Sequence, residues 1–162
     1  MALAFILTVR GIPQVYYGTE ILMSNKGTED HGVIRSDFPG GWKGDTINAF
    51  TVSRLTEQQR NAQEFVKKLL NWRKNAGVIH HGKTKHFVPE KNVYVFFRYD
   101  DDNTVMIILN KNEQPVALDL ARFKSMLTGA SGGREIISGK DIEFGDKLLL
   151  NSAGPLIIEI GK

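Results

Sequence analysis

The sequence predicts an α+β chain in two regions: a strand, a long glycine-rich loop and a helix over residues 1–82, then a small antiparallel β-sandwich or Greek-key barrel over residues 83–162. Three observations carry this. Ala62, Phe65, Val66, Leu69, Leu70, Arg73 and Ala76 follow helical spacing in the first half. Short β-favouring segments separated by turn signals recur through the second half. Neither half contains an internal repeat or a low-complexity tract.

Composition bounds the rest. At 162 residues with 41% hydrophobic and 24% charged side chains, the chain is ordinary for a globular protein, and a chain of this size buries roughly 68–70% of its unfolded surface. The absence of cysteine excludes a disulfide scaffold, thiolate metal sites and a thiol nucleophile, and leaves the compartment open. The longest apolar run, Ala2–Val9, is eight residues, whereas a membrane span needs about 18. Met1–Leu7 carries no basic residue, so a signal peptide is not indicated. The net charge of +3 comes from 10 basic and 7 acidic residues in 1–82 against 11 and 11 in 83–162. No basic run exceeds Lys67-Lys68, so neither a nucleic-acid groove nor a membrane surface is expected.

Taken in order, Met1–Arg10 is apolar from its first residue, which reads as a cut inside a core because N-termini are ordinarily polar. Gly11–Gly18 reads as one short buried strand, with Pro13 near its start, where a missing donor is tolerated. Ser24–Thr46, with five glycines in 23 residues, has no period and reads as a long functional loop. Phe38 and Trp42 argue that it is ordered. The helix opens with a capping box, Thr56 with Gln59, and closes at Gly77. The expected strands are Thr84–Val88, Val93–Tyr99, Thr104–Asn110, Gln114–Leu120, Arg134–Ser138, Lys147–Leu150 and Leu156–Ile160, the last one central because it is almost wholly apolar. Arg122–Leu127 reads as a helical turn ended by Gly129.

Little in the sequence carries chemistry by itself. There is no G-x-S-x-G, no phosphate-binding glycine loop and no G-x-G-x-x-G turn. His80 and His81 are adjacent and point apart in helix or strand, so no metal site and no cofactor are expected. Glu20, Glu29, Asp30 and Asp37 are acids in or beside the loop, but nothing forces two of them into the spacing of about 5–5.5 Å that glycoside hydrolysis with retention needs. Asp30 with Arg35 could clamp sugar hydroxyls. Phe38 and Trp42 read first as anchors of the loop, with flat faces for a pyranose as the alternative.

Gly11-Ile12-Pro13-Gln14-Val15-Tyr16-Tyr17-Gly18-Thr19-Glu20 closely resembles the eighth-strand segment of the α-amylase family of glycoside hydrolases, family thirteen, where a GxPxxYYGxE string ends the catalytic barrel. The resemblance extends along the chain. Ala2–Thr8 looks like the end of the seventh helix, 24–46 like the loop after strand eight, and 56–76 like the eighth helix with Leu69, Leu70 and Arg73 at its end. Residues 83–162 look like the family's C-terminal β-domain. Asp37-Phe38-Pro39-Gly40-Gly41-Trp42 and the Ser138-Gly139-Lys140 turn look most like the neopullulanase and cyclomaltodextrinase group.

The resemblance implies a fragment: the last βα unit of a (β/α)8 barrel and an antiparallel β-sandwich domain of Greek-key type, from a retaining hydrolase of α-1,4 glucosidic bonds, with or without α-1,6 bonds, in starch, pullulan or cyclodextrins. The family's catalytic carboxylates belong to strands four, five and seven, which would precede Met1, so no catalytic residue is assigned here and the chain alone is expected to be inactive. Glu20 matches a glutamate that the family uses structurally. Asp30 and Arg35 are the best matches to a sugar-binding Asp and Arg in the loop after strand eight, though they stand five apart, a wider spacing than the family's. The implied partners are an α-glucan oligosaccharide, the N-terminal part of the barrel and, through apolar surface left without a barrel, a second copy of the chain. The implied setting is a bacterium, periplasmic or cytoplasmic. The rivals are a stand-alone carbohydrate-binding module and an assembly module.

Overall fold

The structure is a computed structural model that describes residues 1–25 and 27–161. Lys26, in the expected loop, and Lys162, at the end of the second region, lie outside the described residues. The chain forms two compact units, Met1–Pro13 with Lys68–Lys162, and Gln14–Lys67.

Among the described residues the first unit is built on eight strands: β1 (Lys83–His86), β2 (Val93–Tyr99), β3 (Thr104–Asn110), β4 (Val116–Asp119), β5 (Gly132–Glu135), β6 (Asp141–Glu143), β7 (Lys147–Leu150) and β8 (Gly154–Ile160). Six pair antiparallel in the order β1-β2-β3-β8-β5-β6, and β4 pairs with β7 in a second sheet. The chain leaves the large sheet for the small one twice and returns, as a Greek-key connection does, so that β8 enters between β3 and β5. The expected central position of the last strand is therefore met.

Alternation along the strands sets the layers. Val93, Val95 and Phe97 of β2, Met106 and Ile108 of β3, and Ile158 of β8 face Leu118, Leu148 and Leu150 of the small sheet, with Leu120 and Phe123 closing the core. The ring of Phe97 lies 6.0 Å from Phe123, and Phe87 packs edge-on to Phe123 at 4.8 Å. The intervening residues Phe96, Val105, Ile107 and Ile157 are buried as well. On this opposite face, Phe5 of α1 (Ala2–Thr8) meets Phe96 edge-on at 5.8 Å. Strands covered on both faces lose the polar half of the alternation, which explains the near-continuous apolar runs of β2, β3 and β8.

Arg98 sits on that face and is wholly buried. Its Nη2 donates to the carbonyls of Ile79 at 2.9 Å and Gly82 at 2.8 Å. These oxygens end α4 (Gly77–His81), where a cation meets the negative end of the helix. Burial first, then the charges of Arg73 and Arg10, lower the affinity of Arg98 for its proton below the ordinary arginine value.

In the second unit Ile21, Ala49 and Leu55 form a small core against which Met23 and Phe38 pack. The helix α3 (Glu57–Arg73) begins here and continues into the first unit. Its capping box forms as the sequence predicts: the Gln59 amide N–H donates to Thr56 Oγ1 at 3.2 Å, and the Thr56 N–H donates to Gln59 Oε1 at 2.9 Å.

Three expectations are corrected. Gly11–Gly18 is not a strand: its backbone joins no ladder, Ile12 is 98% exposed, and only a 3-10 turn, Thr19–Ile21, follows. A strand exists only by pairing, and among the described residues no strand pairs with it. Gly77 does not close the long helix. The helix stops at Arg73, and Gly77 starts α4 instead. Strand β6 was not anticipated, because Asp-Ile-Glu has too little β-favouring content to register.

Phe97→Ala should cost about 3–5 kcal/mol, since it leaves a void between the two sheets; urea denaturation followed by tryptophan fluorescence measures it. Thr56→Ala should cost about 0.5–2 kcal/mol in the same assay, and Thr56→Ser much less.

Candidate functional site

The loop after Tyr17 is organised by its own side chains. Asp30 caps a single helical turn, α2 (His31–Ile34), its Oδ1 accepting from the Gly32 N–H at 2.7 Å and the Val33 N–H at 3.4 Å. Asn25 closes the other end: its Nδ2 donates to the carbonyls of Val33 (2.7 Å) and Ile34 (3.2 Å) and to Ser36 Oγ (2.9 Å). Tyr17 OH donates to the Ser36 carbonyl at 2.9 Å. Arg35 follows α2 directly and lies between these fastenings, with an exposed side chain.

Asp30 and Arg35 thus bracket one helical turn but do not form an ion pair among the described residues. Side chains four apart stack along a helix, and five apart they diverge. The charge of Arg35 is felt instead at Tyr17, whose ring lies 4.7 Å from that of Tyr16. Partial burial, then the phenol of Tyr16 and the carboxylate of Asp37, push the Tyr17 phenol above its ordinary value, and the positive charge of Arg35 opposes this.

Glu20 is half-buried and makes no side-chain hydrogen bond among the described residues. Glu29 is exposed, and among the described residues no three His, Asp or Glu side chains form a group that could hold a metal. His80 Nε2 lies 2.8 Å from the Arg73 carbonyl, a local contact at the helix junction.

The two loop aromatics part company. Phe38 packs on the small core and lies 5.2 Å from the Phe50 ring. Trp42 is 67% exposed, so the anchor expectation holds for Phe38 and fails for Trp42. The turn that presents Trp42 is held by Asp45, whose Oδ2 accepts from the N–H of Gly40 at 2.7 Å and of Trp42 at 3.1 Å. Gly40 has φ +105°, and a Cβ there would lie 2.6 Å from Asn48 Oδ1. Sequence reasoning missed Asn25, Tyr17 and Asp45 as organisers. Asp45, three residues after Trp42 in a glycine-flanked turn, carried a readable signal, while Asn25 acts on residues eight to eleven positions away and carried none.

Residues 84–159 match the family model of the cyclo-malto-dextrinase C-terminal domain. Over longer spans the chain is similar to a cyclomaltodextrin glucanotransferase of a Bacillus species, 33% identical over 146 residues, and to that of Thermoanaerobacterium thermosulfurigenes, 28% identical over 148 residues. These alignments cover 85% and 86% of this chain but 18% of each relative's length. An α-amylase of Niallia circulans is 29% identical over 111 residues, covering 68% of this chain and 18% of that protein. Among solved structures, the α-amylase of Geobacillus thermoleovorans complexed with acarbose superposes with a TM-score of 0.73 at 20% identity, covering 99% of this chain and 32% of that one. AmyP in complex with maltose gives a TM-score of 0.71 at 18% identity, covering 98% of this chain and 33% of that chain.

The sandwich is therefore a C-terminal β-domain of the kind found in α-amylase-family structures. Residues 84–159 belong to the family of cyclo-malto-dextrinase C-terminal domains, the whole chain is similar to the C-terminal portion of α-amylase-family enzymes, and it spans about a fifth of the length of the curated relatives it matches.

The raised Tyr17 phenol has a consequence in alkali. The unfolded phenol gives up its proton first, so this contribution to stability is present below the ordinary value of 10.0 and is lost as pH rises through the higher folded value. Spectrophotometric titration should show phenolate appearing late in the native chain, and Tyr17→Phe should remove one late-titrating group.

Proposed function

We propose that residues 1–82 are the closing end of a (β/α)8 catalytic barrel and residues 83–162 its C-terminal domain, in a retaining enzyme that cleaves glucosidic bonds of starch, pullulan or cyclodextrins. The observation that carries this reading is the length of the likeness. Alignments of 146 and 148 residues with cyclomaltodextrin glucanotransferases are far longer than 83–162. They cover 85% and 86% of this chain, so they reach far into residues 1–82 and take in most of the loop and the long helix.

In that reading Gly11–Gly18 becomes a strand when the preceding barrel strands are beside it. The exposed Val15, Tyr16 and Tyr17 are then covered by upstream chain. Without that cover they invite a second copy of this chain to pair. The loop that leaves the strand lies on the catalytic side of a barrel. Arg35 and Asp30 hold substrate hydroxyls there, and the acid, base and nucleophile lie upstream of Met1.

Two experiments test the reading. The chain alone, in excess over hours, should release no reducing sugar from starch, pullulan or cyclodextrin. Release that is lost on mutating Glu20 or Asp30 would overturn the assignment of chemistry to upstream residues. In the full-length enzyme, Arg35→Ala should lower kcat/KM by roughly 10–200-fold, on the order of 1–3 kcal/mol for a lost charged hydrogen bond. The loss should be greater for long oligosaccharides than for short ones. An equal loss on every substrate, together with a lower Tm, would remove Arg35 from the site. A stand-alone binding module would instead take up maltooligosaccharide with the same affinity in the chain and in the full-length protein.

A further inference from the structure

On the helix-covered face of the large sheet, where β3 starts and β8 ends, a cleft of about 260 Å³ is lined by Asn75, Gly77, Val78, Asn103, Thr104 and Glu159. Its polar groups come from separate elements: Asn75 from the link between α3 and α4, Asn103 from the turn before β3, Thr104 from the first position of β3, and Glu159 from β8. The β3–β8 register, with Val105 opposite Glu159, fixes two of these walls against each other.

Two of these polar groups, Glu159 and Asn103, are pre-oriented. The indole N–H of Trp72 donates to Glu159 Oε1 at 2.6 Å, which sets the plane of the carboxylate and leaves Oε2 as an acceptor. Asn103 is held through its backbone N–H (2.7 Å) and its Nδ2 (3.2 Å) on Asp100 Oδ1, which leaves its own amide oxygen as an acceptor. The floor is apolar, made by the buried Ala76, Val78 and Val105.

The lining selects a ligand class by exclusion. Among the described residues no Lys, Arg or His lines the cleft, so an anion would meet the charge of Glu159 with no described cation to balance it. Arg134, across the sheet from Glu159, forms no ion pair with it among the described residues. One carboxylate does not make a divalent-cation site, and no metal-capable group occurs among the described residues. A wholly apolar ligand would desolvate the carboxylate and amides without replacing their hydrogen bonds. A neutral ring carrying several hydroxyls satisfies all of these groups, because hydroxyls donate to carboxylate and amide oxygens and accept from amide N–H. The volume of about 260 Å³ falls just below that of ordinary ligand pockets, roughly 300–1,000 Å³, and suits a single ring.

We propose that this cleft binds one sugar residue of a glucan, with Glu159 as the main acceptor, Asn75 and Thr104 completing the contacts, and Trp72 as the positioning residue. That the glucan is α-linked rests on the function proposed above; the cleft chemistry does not.

The test is a titration of the isotopically labelled 162-residue chain with maltotriose and, separately, cellotriose, followed by amide and indole chemical shifts. Maltotriose should shift the amides of Asn75, Asn103 and Thr104 and the Trp72 indole. Asn75→Ala, an exposed position that leaves the fold intact, should weaken that binding by roughly 2–10-fold for a lost hydrogen bond, and Glu159→Gln should weaken it with the Trp72 contact retained. The same shifts with cellotriose alone would support the cleft as a sugar site and overturn the α-glucan assignment. Maltotriose shifts confined to residues 30–42 would overturn the cleft and leave the proposed function standing. No shift at these residues with either sugar, in a chain whose spectrum is that of a folded protein, would overturn the proposal.

Discussion

Strand β3 is hydrogen-bonded to β2 along one edge and to β8 along the other, and Val105, Met106, Ile107 and Ile108 are all buried. Such a strand has to be covered twice, because its side chains alternate between two faces and both are apolar. The small sheet covers one face through Leu118, Leu148 and Leu150. The other face is met by α1 through Phe5 and by α4 through the Arg98 contacts. The helices of this unit are therefore part of the sandwich core. The match to the family model, which starts at residue 84, marks where a sequence family begins and not where this core begins.

Covering a sheet with helices creates a polar problem at every helix end, since terminal carbonyls leave water without partners. Arg98 answers it for α4 from within the sheet. A buried guanidinium is costly, and Arg98 Nε and Nη1 have no hydrogen-bond partner among the described atoms, so the contact is a compromise between satisfying helix carbonyls and burying charge. The same junction restricts the link to β1. A Cβ at Gly82 would come within 2.3 Å of the Val78 carbonyl oxygen and 2.8 Å of that of Tyr99, so only glycine fits between the helix end and the strand.

Legibility in the sequence followed the range of the interaction. Val93–Tyr99, Thr104–Asn110 and Lys147–Leu150 were read to the residue because their apolar content is dense and flanked by turn signals. The capping box at Thr56 and Gln59 was readable because both partners lie within one helical turn. Gly77 was misread because a glycine after a helix can open a new turn as well as end the old one. The second helix is stabilised by Arg98, some twenty residues further on. The Gly11–Gly18 string has the composition of a strand, yet strand formation depends on neighbours, and composition is silent about them.

The loop shows the limit of reading chemistry from residue type. Asp30 stood out as an acid and Asp45 did not, yet both spend an oxygen on backbone N–H groups, holding α2 and the Trp42 turn respectively. Asn48 does the same for Phe50 and Thr51. Short polar side chains in a glycine-rich segment satisfy the nearest orphan donors first, so an acid in such a loop is more often structural than reactive. Arg35 differs. It has no acceptor of its own in the unit among the described contacts, while the backbone around it is fixed by Asn25 and Tyr17. A fixed main chain under an uncommitted guanidinium loses little further entropy on meeting a ligand. Of the two residues proposed to hold substrate, Arg35 therefore keeps its whole side chain uncommitted among the described contacts, whereas Asp30 has one carboxylate oxygen occupied in capping α2.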